Sequence, residues 1–297
     1  MRILLTGSSG MIGSALLTLL AADGHKVVRL TRGPATGRHI LWNPEAGTIE
    51  PEDLEDFDAV VHLAGEPIVG RWTAEKKAHI LNSRVKGTRL LCESLAHLRN
   101  RPIVLVAASA VGYYGSRGDQ VLTEESSAGS LFVSEVAKAW EAATEPASRN
   151  HIRVVNLRIG FVLSKEGGGL AKMLLPFKLG VGGRLGSGRQ YLSWIALDDV
   201  VRVISHAILS DSLHGPVNTV APQPVTNREF TKSLGSVLGR PTIFPMPAFA
   251  ARMVFGEMAD NLLLASSRVQ PARLRASGYE FLFPEVKGAL RHALGKH

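Results

Sequence analysis

The amino-acid sequence predicts an α/β protein in which helices cover both faces of a parallel sheet. Short apolar runs alternate with segments whose apolar residues recur at helical spacing, and this order is typical of parallel strands joined by crossover helices. The predicted strands occupy residues 3–6, 26–31, 58–64, 103–108 and 152–159. A chain of 297 residues is long enough for one such sheet and a smaller lobe.

The predicted helices between these strands are amphipathic. Residues 73–98 and 131–148 are predicted as two long helices. A shorter helix after the first strand presents five apolar residues on one face: Ile12, Ala15, Leu16, Leu19 and Leu20.

The composition is that of an ordinary globular protein and excludes several classes. Hydrophobic residues make up 45% of the chain and charged residues 20%, so the chain can bury a core and is not intrinsically disordered. The single cysteine, Cys92, cannot form an internal disulfide or a zinc site built from cysteines. Because Cys92 lies beside Leu90 and Leu91 in a predicted helix, we interpret it as a core thiol.

The charge balance is basic and favours anionic partners. Subtracting 26 Asp and Glu from 34 Lys and Arg leaves +8, which suits phosphorylated cofactors, acidic metabolites or nucleic acid. The basic residues are scattered and form no evident aromatic-basic platform, so nucleic-acid binding is not expected. The first apolar stretch is too short for a signal peptide, and no run of about 18 apolar residues occurs. We therefore expect a cytoplasmic protein that does not enter a membrane.

A glycine-rich turn follows the first predicted strand and opens the first helix. It reads Gly7-Ser8-Ser9-Gly10-Met11-Ile12-Gly13. Glycines let the backbone approach a pyrophosphate, and the helix N-terminus presents free N–H groups and the positive end of its dipole. Strand, turn and helix in this order predict a Rossmann-type, doubly wound sheet that binds a dinucleotide. The alternative is a glycine turn needed only for tight packing.

The residue after the second strand bears on which dinucleotide is bound. An acidic side chain there would bind the ribose 2'-hydroxyl of NAD, but this chain has Arg32. The planar guanidinium suits a 2'-phosphate, so the sequence favours NADP over NAD. The alternative for Arg32 is a solvated loop arginine.

The third predicted strand ends at the sheet edge where ligands of open parallel sheets bind. It closes with Leu63, Ala64 and Gly65, and we expect this backbone to pass the adenosine side of the cofactor. His62, just before them, is interpreted as a packed strand histidine rather than a catalyst.

The pattern loosens in the second half of the chain. Glycines and prolines interrupt helical segments after Gly160. We predict a dinucleotide-binding domain over residues 1–165 and a mostly helical substrate lobe over residues 166–297. Segments near 190–220 are expected to return to the first domain.

Several motifs together resemble those of extended short-chain dehydrogenases/reductases. They are Thr6-Gly-Ser-Ser-Gly-Met-Ile-Gly13, His62-Leu-Ala-Gly65, Ser83-Arg-Val-Lys-Gly-Thr88, Ser109-Ala-Val-Gly-Tyr-Tyr-Gly115 and Trp194-Ile-Ala-Leu-Asp-Asp199. A further set resembles an atypical, NAD(P)-dependent epimerase/dehydratase-like branch with a C-terminal domain of unknown function. These are Trp140-Glu-Ala-Ala143, Asn218-Thr-Val-Ala-Pro222 with Val225-Thr-Asn227, and Pro271-Ala-Arg-Leu274 with Gly278-Tyr-Glu-Phe281. The resemblance covers essentially the whole chain.

The resemblance implies catalytic positions, and two of them depart from the family pattern. Typical members use Tyr-x-x-x-Lys on one helix, a Ser or Thr after the fourth strand and an upstream Asn. Ser109 matches the serine, and Lys138 matches the lysine, which would also bind the nicotinamide ribose. Ser134 stands in place of the tyrosine and Arg84 in place of the asparagine. Because serine is a poor proton donor or acceptor at neutral pH, the usual mechanism is not expected unchanged.

Three of these positions have more than one interpretation. Either Tyr113 or Tyr114 replaces the missing phenol, or both form aromatic walls of the pocket. Arg84 either faces a substrate carboxylate or phosphate, or belongs to a structural salt bridge. Lys138 is otherwise a surface lysine.

A glycine-rich loop over residues 182–190 is expected to cover the substrate. Its Arg184 and Arg189 suit an anionic substrate, although a solvent-facing loop has the same composition. Asp198 and Asp199 lack nearby histidine or further acids, so no metal site is predicted, and one of them is expected to cap the following helix.

Two functions fit these observations. The first is an NADP-dependent oxidoreductase or nucleotide-sugar-epimerase-like enzyme acting on a small substrate, for which the arginines favour an anion. The second is a non-catalytic NADP-binding sensor or scaffold, suggested by Ser134 and Arg84 at catalytic positions. Relatives often pair through long helices beside the sheet, which allows a homodimer, but those helix faces can equally pack within one chain.

Overall fold

The computed structural model describes residues 1–34 and 37–296 and is built on one eight-stranded sheet. The strands are β1 (Arg2–Thr6), β2 (Lys26–Thr31), β3 (His39–Asn43), β4 (Thr48–Ile49), β5 (Ala59–His62), β6 (Val104–Ala110), β7 (Val121–Leu122), β8 (Arg153–Ile159), β9 (Phe161–Leu163), β10 (Tyr191–Leu192), β11 (Trp194–Ala196), β12 (Gly215–Thr219), β13 (Val225–Thr226) and β14 (Arg268–Val269).

Ten α-helices are found in the described residues, together with short 3₁₀ turns at Pro51–Leu54 and Val111–Tyr114 and a π-helical turn at Ala259–Leu263. The helices are α1 (Met11–Ala22), α2 (Ala74–Ala96), α3 (Phe132–Ala142), α4 (Glu145–Arg149), α5 (Gly168–Lys178), α6 (Leu197–Leu209), α7 (Asn227–Leu238), α8 (Ala248–Phe255), α9 (Ala272–Ala276) and α10 (Val286–Leu294).

The strand order confirms the predicted Rossmann-type fold class. The sheet runs β12-β8-β6-β5-β1-β2-β3-β4, and every neighbouring pair is parallel except β3 with β4. The chain leaves β1 toward β2 on one side and later returns to β5 on the other. The order therefore reverses at β1, and a crevice forms there at the carboxyl ends of the strands.

All five strands expected from the sequence are present, but β3, β4 and β12 of the same sheet were not expected as strands, although segments near 190–220 were expected to return to the first domain. The longer two, β3 and β12, differ from a buried apolar run in composition. The edge strand β3 reads His-Ile-Leu-Trp-Asn, and β12 begins with Gly215 and Pro216, which indicate a turn. The strand β12 pairs in parallel with β8 and extends the sheet.

Helices cover both faces of the sheet, so successive strand residues are buried alternately on opposite sides. Ile3 and Leu5 pack in the cluster that includes α1 and α6, whereas Leu4 packs in the cluster that includes α2 and α4. Cys92 lies in the second cluster and is fully buried, and burial raises the pKa of its thiol to about 12. The interpretation of Cys92 as a core thiol is confirmed.

The long helix predicted over 73–98 is confirmed, but the single helix predicted over 131–148 is wrong. The hydroxyl of Thr73 caps α2 by accepting from the Lys76 N–H at 3.1 Å. In the other segment α3 ends at Ala142 and α4 starts at Glu145. Pro146 lies in the first turn of α4, where its missing N–H is tolerated, but within one continuous helix it would break the hydrogen-bond ladder.

The C-terminal part packs around a third apolar cluster and is joined to α6 by a buried carboxylate. Helices α5, α7 and α10 surround Trp194 in that cluster. The residue before α6 is Ala196, so the expectation that an aspartate caps this helix is wrong. Asp199 instead lies in the first turn and accepts hydrogen bonds from the Tyr279 hydroxyl and the N–H groups of Leu282 and Phe283, at 2.9–3.0 Å.

Replacing Asp199 with alanine is expected to loosen this junction. Two N–H groups and one hydroxyl would lose their acceptor, so the free energy of unfolding should fall by about 3 kcal/mol. Asp198→Ala is the matched control, because Asp198 is half-exposed and its carboxylate pairs only with His292 among the described residues. An exposed pair of this kind contributes less than about 1 kcal/mol. Urea unfolding of both variants measures the difference, and equal losses would contradict the assignment.

Candidate functional site

The turn after β1 lies against the end of β5 at the switch point. Gly7 has φ +68°, and a Cβ atom on it would lie 2.7 Å from the carbonyl carbon of Leu63. A Cβ atom on Gly13 would lie 2.2 Å from the carbonyl oxygen of Gly7. Both positions therefore exclude any side chain. The close approach forms a backbone cradle at the N-terminus of α1.

The first turn of α1 is available to an anion. Gly10 precedes the helix and offers no side-chain cap, so the first N–H groups of the helix have no partner from that residue. Ser9 and Gly10 are exposed, while Met11 and Ile12 are half-buried. Free N–H groups and the positive end of the helix dipole are the features that bind phosphate.

The end of β5 is fixed by a buried hydrogen-bond network. Thr6 Oγ1 accepts from the N–H groups of Leu63 and Ala64, at 3.0 and 3.2 Å. His62 is bonded on both ring nitrogens, to Thr6 Oγ1 at 2.8 Å and Thr88 Oγ1 at 3.0 Å. Burial lowers the pKa of His62 to about 4. His62 is thus a neutral, packed strand histidine, as expected.

Arg32 is exposed directly after β2, on the same side of the sheet as the end of β5. Its charge reaches Glu66, the residue after Gly65. The pKa of Glu66 is lowered first by a hydrogen bond from Lys76 at 2.6 Å and, more weakly, by the charge of Arg32. Arg32 and the backbone expected to pass the adenosine thus both lie at the carboxyl-terminal edge of the parallel sheet.

Arg84 supports this backbone through main-chain contacts. Its Nη1 donates to the carbonyl oxygens of Glu66 and Ile80, at 3.0 and 3.1 Å, and its guanidinium lies 4.9 Å from the Trp140 ring centre. Burial lowers the pKa of Arg84 to about 10, although the charge of Glu66 acts in the opposite direction. No carboxylate in the described chain lies within 4.0 Å of the guanidinium, so the salt-bridge alternative is not what the structure has.

A buried ion pair lies beside Ser109 at the carboxyl ends of β6 and β8. Arg158 binds Glu141 with two parallel bonds, Nε to Oε1 at 2.7 Å and Nη2 to Oε2 at 2.8 Å. The hydroxyl of Ser109 donates to the same Glu141 Oε1 at 2.7 Å. Burial alone would lower the pKa of Arg158, but the bonds and charge of Glu141 outweigh it and raise the pKa.

The two adjacent tyrosines have different surroundings. Tyr114 is fully buried, donates to Asn218 Oδ1 at 2.6 Å and accepts from Arg158 Nη1 at 2.9 Å. Burial raises its pKa to about 12, against the opposing effect of Arg158. Tyr113 is half-buried, and the Arg158 guanidinium carbon lies 3.4 Å from its ring centre. The hydroxyl of Tyr114 is thus already engaged inside the protein, which disfavours it as the replacement phenol.

The helix α3 carries the other two family positions, one turn apart. Ser134 is fully buried and its hydroxyl donates to the Gly112 carbonyl oxygen at 2.8 Å. A Cβ atom on Gly115 would lie 3.2 Å from Ser134 Oγ, so Ser134 packs closely against the Gly115 backbone. Lys138 is exposed and has no hydrogen-bond or ion-pair partner in the residues that the structure covers.

The loop expected to cover the substrate is held to the rest of the lobe. Gly186 N–H donates to Met246 and Met246 N–H donates to Arg184, at 2.8 and 2.9 Å. Gln190 donates from its side chain to the carbonyl oxygen of Leu185 at 3.1 Å. Arg189 is exposed. The loop therefore presents one arginine to solvent from an ordered backbone.

Sequence reasoning missed Glu141 and Arg158. Both residues were visible: Glu141 belongs to the Trp140-Glu motif, and Arg158 interrupts the apolar run of β8. A charged residue at a buried strand position is seldom found without a partner, and this was the signal for an ion pair. Which acid paired with it was not visible.

The described residues provide neither a cluster of metal ligands nor a membrane-spanning helix. Among residues 1–34 and 37–296, no group of three or more His, Cys, Asp or Glu side chains is placed to hold a metal ion. No helix in the same residues has the length and apolar character needed to cross a membrane.

Comparison with known sequences finds two family matches. Residues 3–219 match the NAD dependent epimerase/dehydratase family, and residues 246–293 match a domain of unknown function, DUF1731. The epimerase family protein Mb2239 of Mycobacterium bovis is 44% identical over 97% of this chain and 96% of its own length. The human epimerase family protein SDR39U1 is 38% identical over 98% of this chain and 99% of its own length.

Comparison with solved structures finds the same fold. The crystal structure of human SDR39U1 with NADPH superimposes with a TM-score of 0.93, at 36% identity, and covers 99% of both chains. The sheet and the C-terminal part described above are therefore similar in that protein.

Replacing Glu141 with glutamine is expected to destabilise the protein strongly. Arg158 would remain buried and charged without its carboxylate, which costs about 3–5 kcal/mol of unfolding free energy. Glu145→Gln is the control, because its pair with Arg149 is exposed and worth less than about 1 kcal/mol. Guanidinium unfolding of both variants gives the comparison. A loss below 1 kcal/mol in Glu141→Gln would mean that the ion pair is not intact in solution.

Proposed function

The chain belongs to the NAD dependent epimerase/dehydratase family, and on that premise we propose that it is an NADP-dependent oxidoreductase or epimerase-like enzyme acting on a small substrate. The glycine cradle carries the proposal. Its backbone would be closed by any side chain at Gly7 or Gly13, and the uncapped end of α1 adjoins it. This arrangement fits a pyrophosphate.

The preference for NADP rests on Arg32. The guanidinium stands at the end of β2, where the adenosine ribose binds in this fold, and no acidic residue replaces it there. Its fork can bind a 2'-phosphate through two bonds. The human relative, 36% identical in the superimposed structure, was solved with NADPH, which supports the same choice.

We assign the backbone of Leu63, Ala64 and Gly65 to the adenosine side of the cofactor. Thr6 orients the N–H groups of the first two, and Arg84 holds the carbonyl of Glu66 just beyond. Arg84 would then hold the main chain that lines the cofactor, rather than bind an anionic substrate. The exposed ammonium of Lys138 is assigned to the nicotinamide ribose.

The catalytic assignment rests on where protons are already held. The one proton of Ser109 is donated to Glu141, so Ser109 Oγ is left as an acceptor for a substrate hydroxyl. Tyr113 is the phenol assigned to the site, because the Tyr114 hydroxyl is engaged by Asn218 and Arg158. When bound, the cofactor supplies the hydride acceptor or donor. The chain's residues orient the hydroxyl and receive or return its proton.

A non-catalytic NADP sensor is the second candidate, and two observations favour it. Ser134 is buried and bonded at the position of the family tyrosine, and Tyr114 cannot present its hydroxyl outward from a fully buried site. Under this alternative the cradle and Arg32 bind the cofactor while no residue transfers a proton.

Calorimetric titration with NADP and NAD tests the cofactor assignment. Verified cofactor-free protein should bind NADP at least about tenfold more tightly than NAD, because one charge-assisted fork to phosphate contributes about 1.5 kcal/mol or more. Arg32→Asp should remove that preference. Arg38→Asp is the control and should keep it, because Arg38 lies beside the amino-terminal half of β2 rather than at its carboxyl end. Equal weakening of both dinucleotides by Arg32→Asp would contradict the assignment.

Turnover of NADPH with a panel of small aldehydes, ketones and keto acids separates the two functions. The enzyme assignment expects oxidation of NADPH by some member of the panel, and Ser109→Ala should lower its kcat about 100-fold while the affinity for NADP is kept. Ser236→Ala, exposed on α7, is the control. Full NADPH affinity without turnover on any panel member would favour the sensor.

A further inference from the structure

Large apolar side chains are exposed in two short segments of the C-terminal part. Of the fifteen large hydrophobic residues that are exposed in the described chain, eight fall within residues 175–181 and 243–254. Met253 is 80% exposed and Ile243 is 72% exposed, so neither side chain belongs to the core of the C-terminal part. The eight, which we name the apolar face, are Leu175, Leu179, Val181, Ile243, Phe244, Phe249, Met253 and Val254.

The two segments adjoin, so these side chains belong to one region of the surface. A Cβ atom on Gly183 would lie 1.8 Å from the carbonyl oxygen of Phe244, and one on Gly180 would lie 3.8 Å from Pro241. Leu185 and Met246 form a parallel bridge. The loop before α8 is therefore laid directly along the chain that follows α5. Exposed apolar clusters of this kind mark contact surfaces rather than ordinary protein exterior.

The charge around the apolar face has one sign. No Asp or Glu occurs between residues 167 and 197 or between residues 230 and 256, whereas seven Lys and Arg do. Five of them are exposed and have no ion-pair partner within the residues described: Lys172, Lys178, Arg189, Lys232 and Arg240. Arg252 is paired with Asp260. Exposed apolar side chains with unpaired cations in the same segments are the pattern of surfaces that enter the headgroup region of anionic membranes.

We propose that the apolar face docks on an anionic lipid surface, with its apolar side chains in the interface and Lys172, Lys178 and Arg240 at the headgroup phosphates. The helices concerned are short: α5 has eleven residues with Pro176 inside it, and α8 has eight. The contact is consequently peripheral.

A second copy of this chain fits the apolar face less well. Two-fold pairing brings the same patch of each copy together. Lys172, Lys178 and Arg240 of both copies would then be gathered into one interface, and neither acid-free segment offers a carboxylate to balance them. An anionic membrane supplies the missing negative charge.

The docked face would lie next to the crevice. Glu257, just after α8, pairs with Lys77 on α2 at 2.8 Å, and Asn261 lies at the start of α3 through its contact with the Val133 N–H. The segment that follows the apolar face therefore reaches the helices beside the cofactor cradle.

Sedimentation of the full chain with lipid vesicles tests the proposal. Vesicles of phosphatidylcholine with 30% phosphatidylglycerol should bind the protein at least about tenfold more tightly than pure phosphatidylcholine vesicles. Each cation that contacts a phosphate is expected to contribute about fivefold to this difference. Lys172→Glu with Lys178→Glu should reduce binding by that margin or more. Phe249→Ser with Met253→Ser should reduce it about tenfold as well, since apolar area no longer enters the interface.

Matched controls keep the result specific. Ile103→Ser with Leu209→Ser removes two equally exposed apolar side chains elsewhere and should leave binding unchanged. Thermal melts establish that each variant is folded, which is expected because every substituted side chain is exposed. Failure of the wild-type protein to bind the anionic vesicles overturns the proposal. So does light scattering that shows a dimer dissociated by Phe249→Ser with Met253→Ser, because the apolar face would then join two copies.

Discussion

The contact between the turn after β1 and the end of β5 is the constraint on which the rest of the site depends. Two parallel neighbours point the same way, so the chain that leaves β1 has to pass over the end of β5 at the switch point. The 2.7 Å clearance at Gly7 excludes a side chain, and the same approach lets Thr6 hold the Leu63 and Ala64 N–H groups. One backbone contact thus shapes both halves of the cradle.

The network behind this contact extends to two helices. The His62 ring hydrogen-bonds to Thr6 through one nitrogen and to Thr88 on α2 through the other. Trp140 on α3 donates to the same Thr88 oxygen at 3.0 Å. Arg84 then stacks on Trp140 and bonds the carbonyl of Glu66. The strand end, α2 and α3 are therefore fixed together. A substitution at any of these polar residues would leave a buried partner unsatisfied, because each group is shared.

The sequence predicted the elements whose pattern is local and missed those that depend on distant partners. The central strands are apolar runs because helices bury both of their sides, and α2 has its own capping threonine. In contrast, β12 is a strand only because β8 lies beside it. Tyr113 and Tyr114 looked equivalent in the sequence. Only the fold around Arg158 distinguishes them, because it buries the Tyr114 ring and leaves Tyr113 half-buried. Nothing local tells that Ser109 meets Glu141, 32 positions away.

The buried ion pair of Glu141 with Arg158 is poorly explained by stability alone. Desolvating two charges offsets most of their attraction, so well-packed apolar residues of similar volume commonly give an equally stable core. Ser109 and Tyr113 both contact the pair, the first by donating to Glu141 and the second by stacking on Arg158. An apolar pair would leave the Ser109 hydroxyl free to rotate and to donate its proton elsewhere. The pair thus fixes the direction in which Ser109 donates its proton.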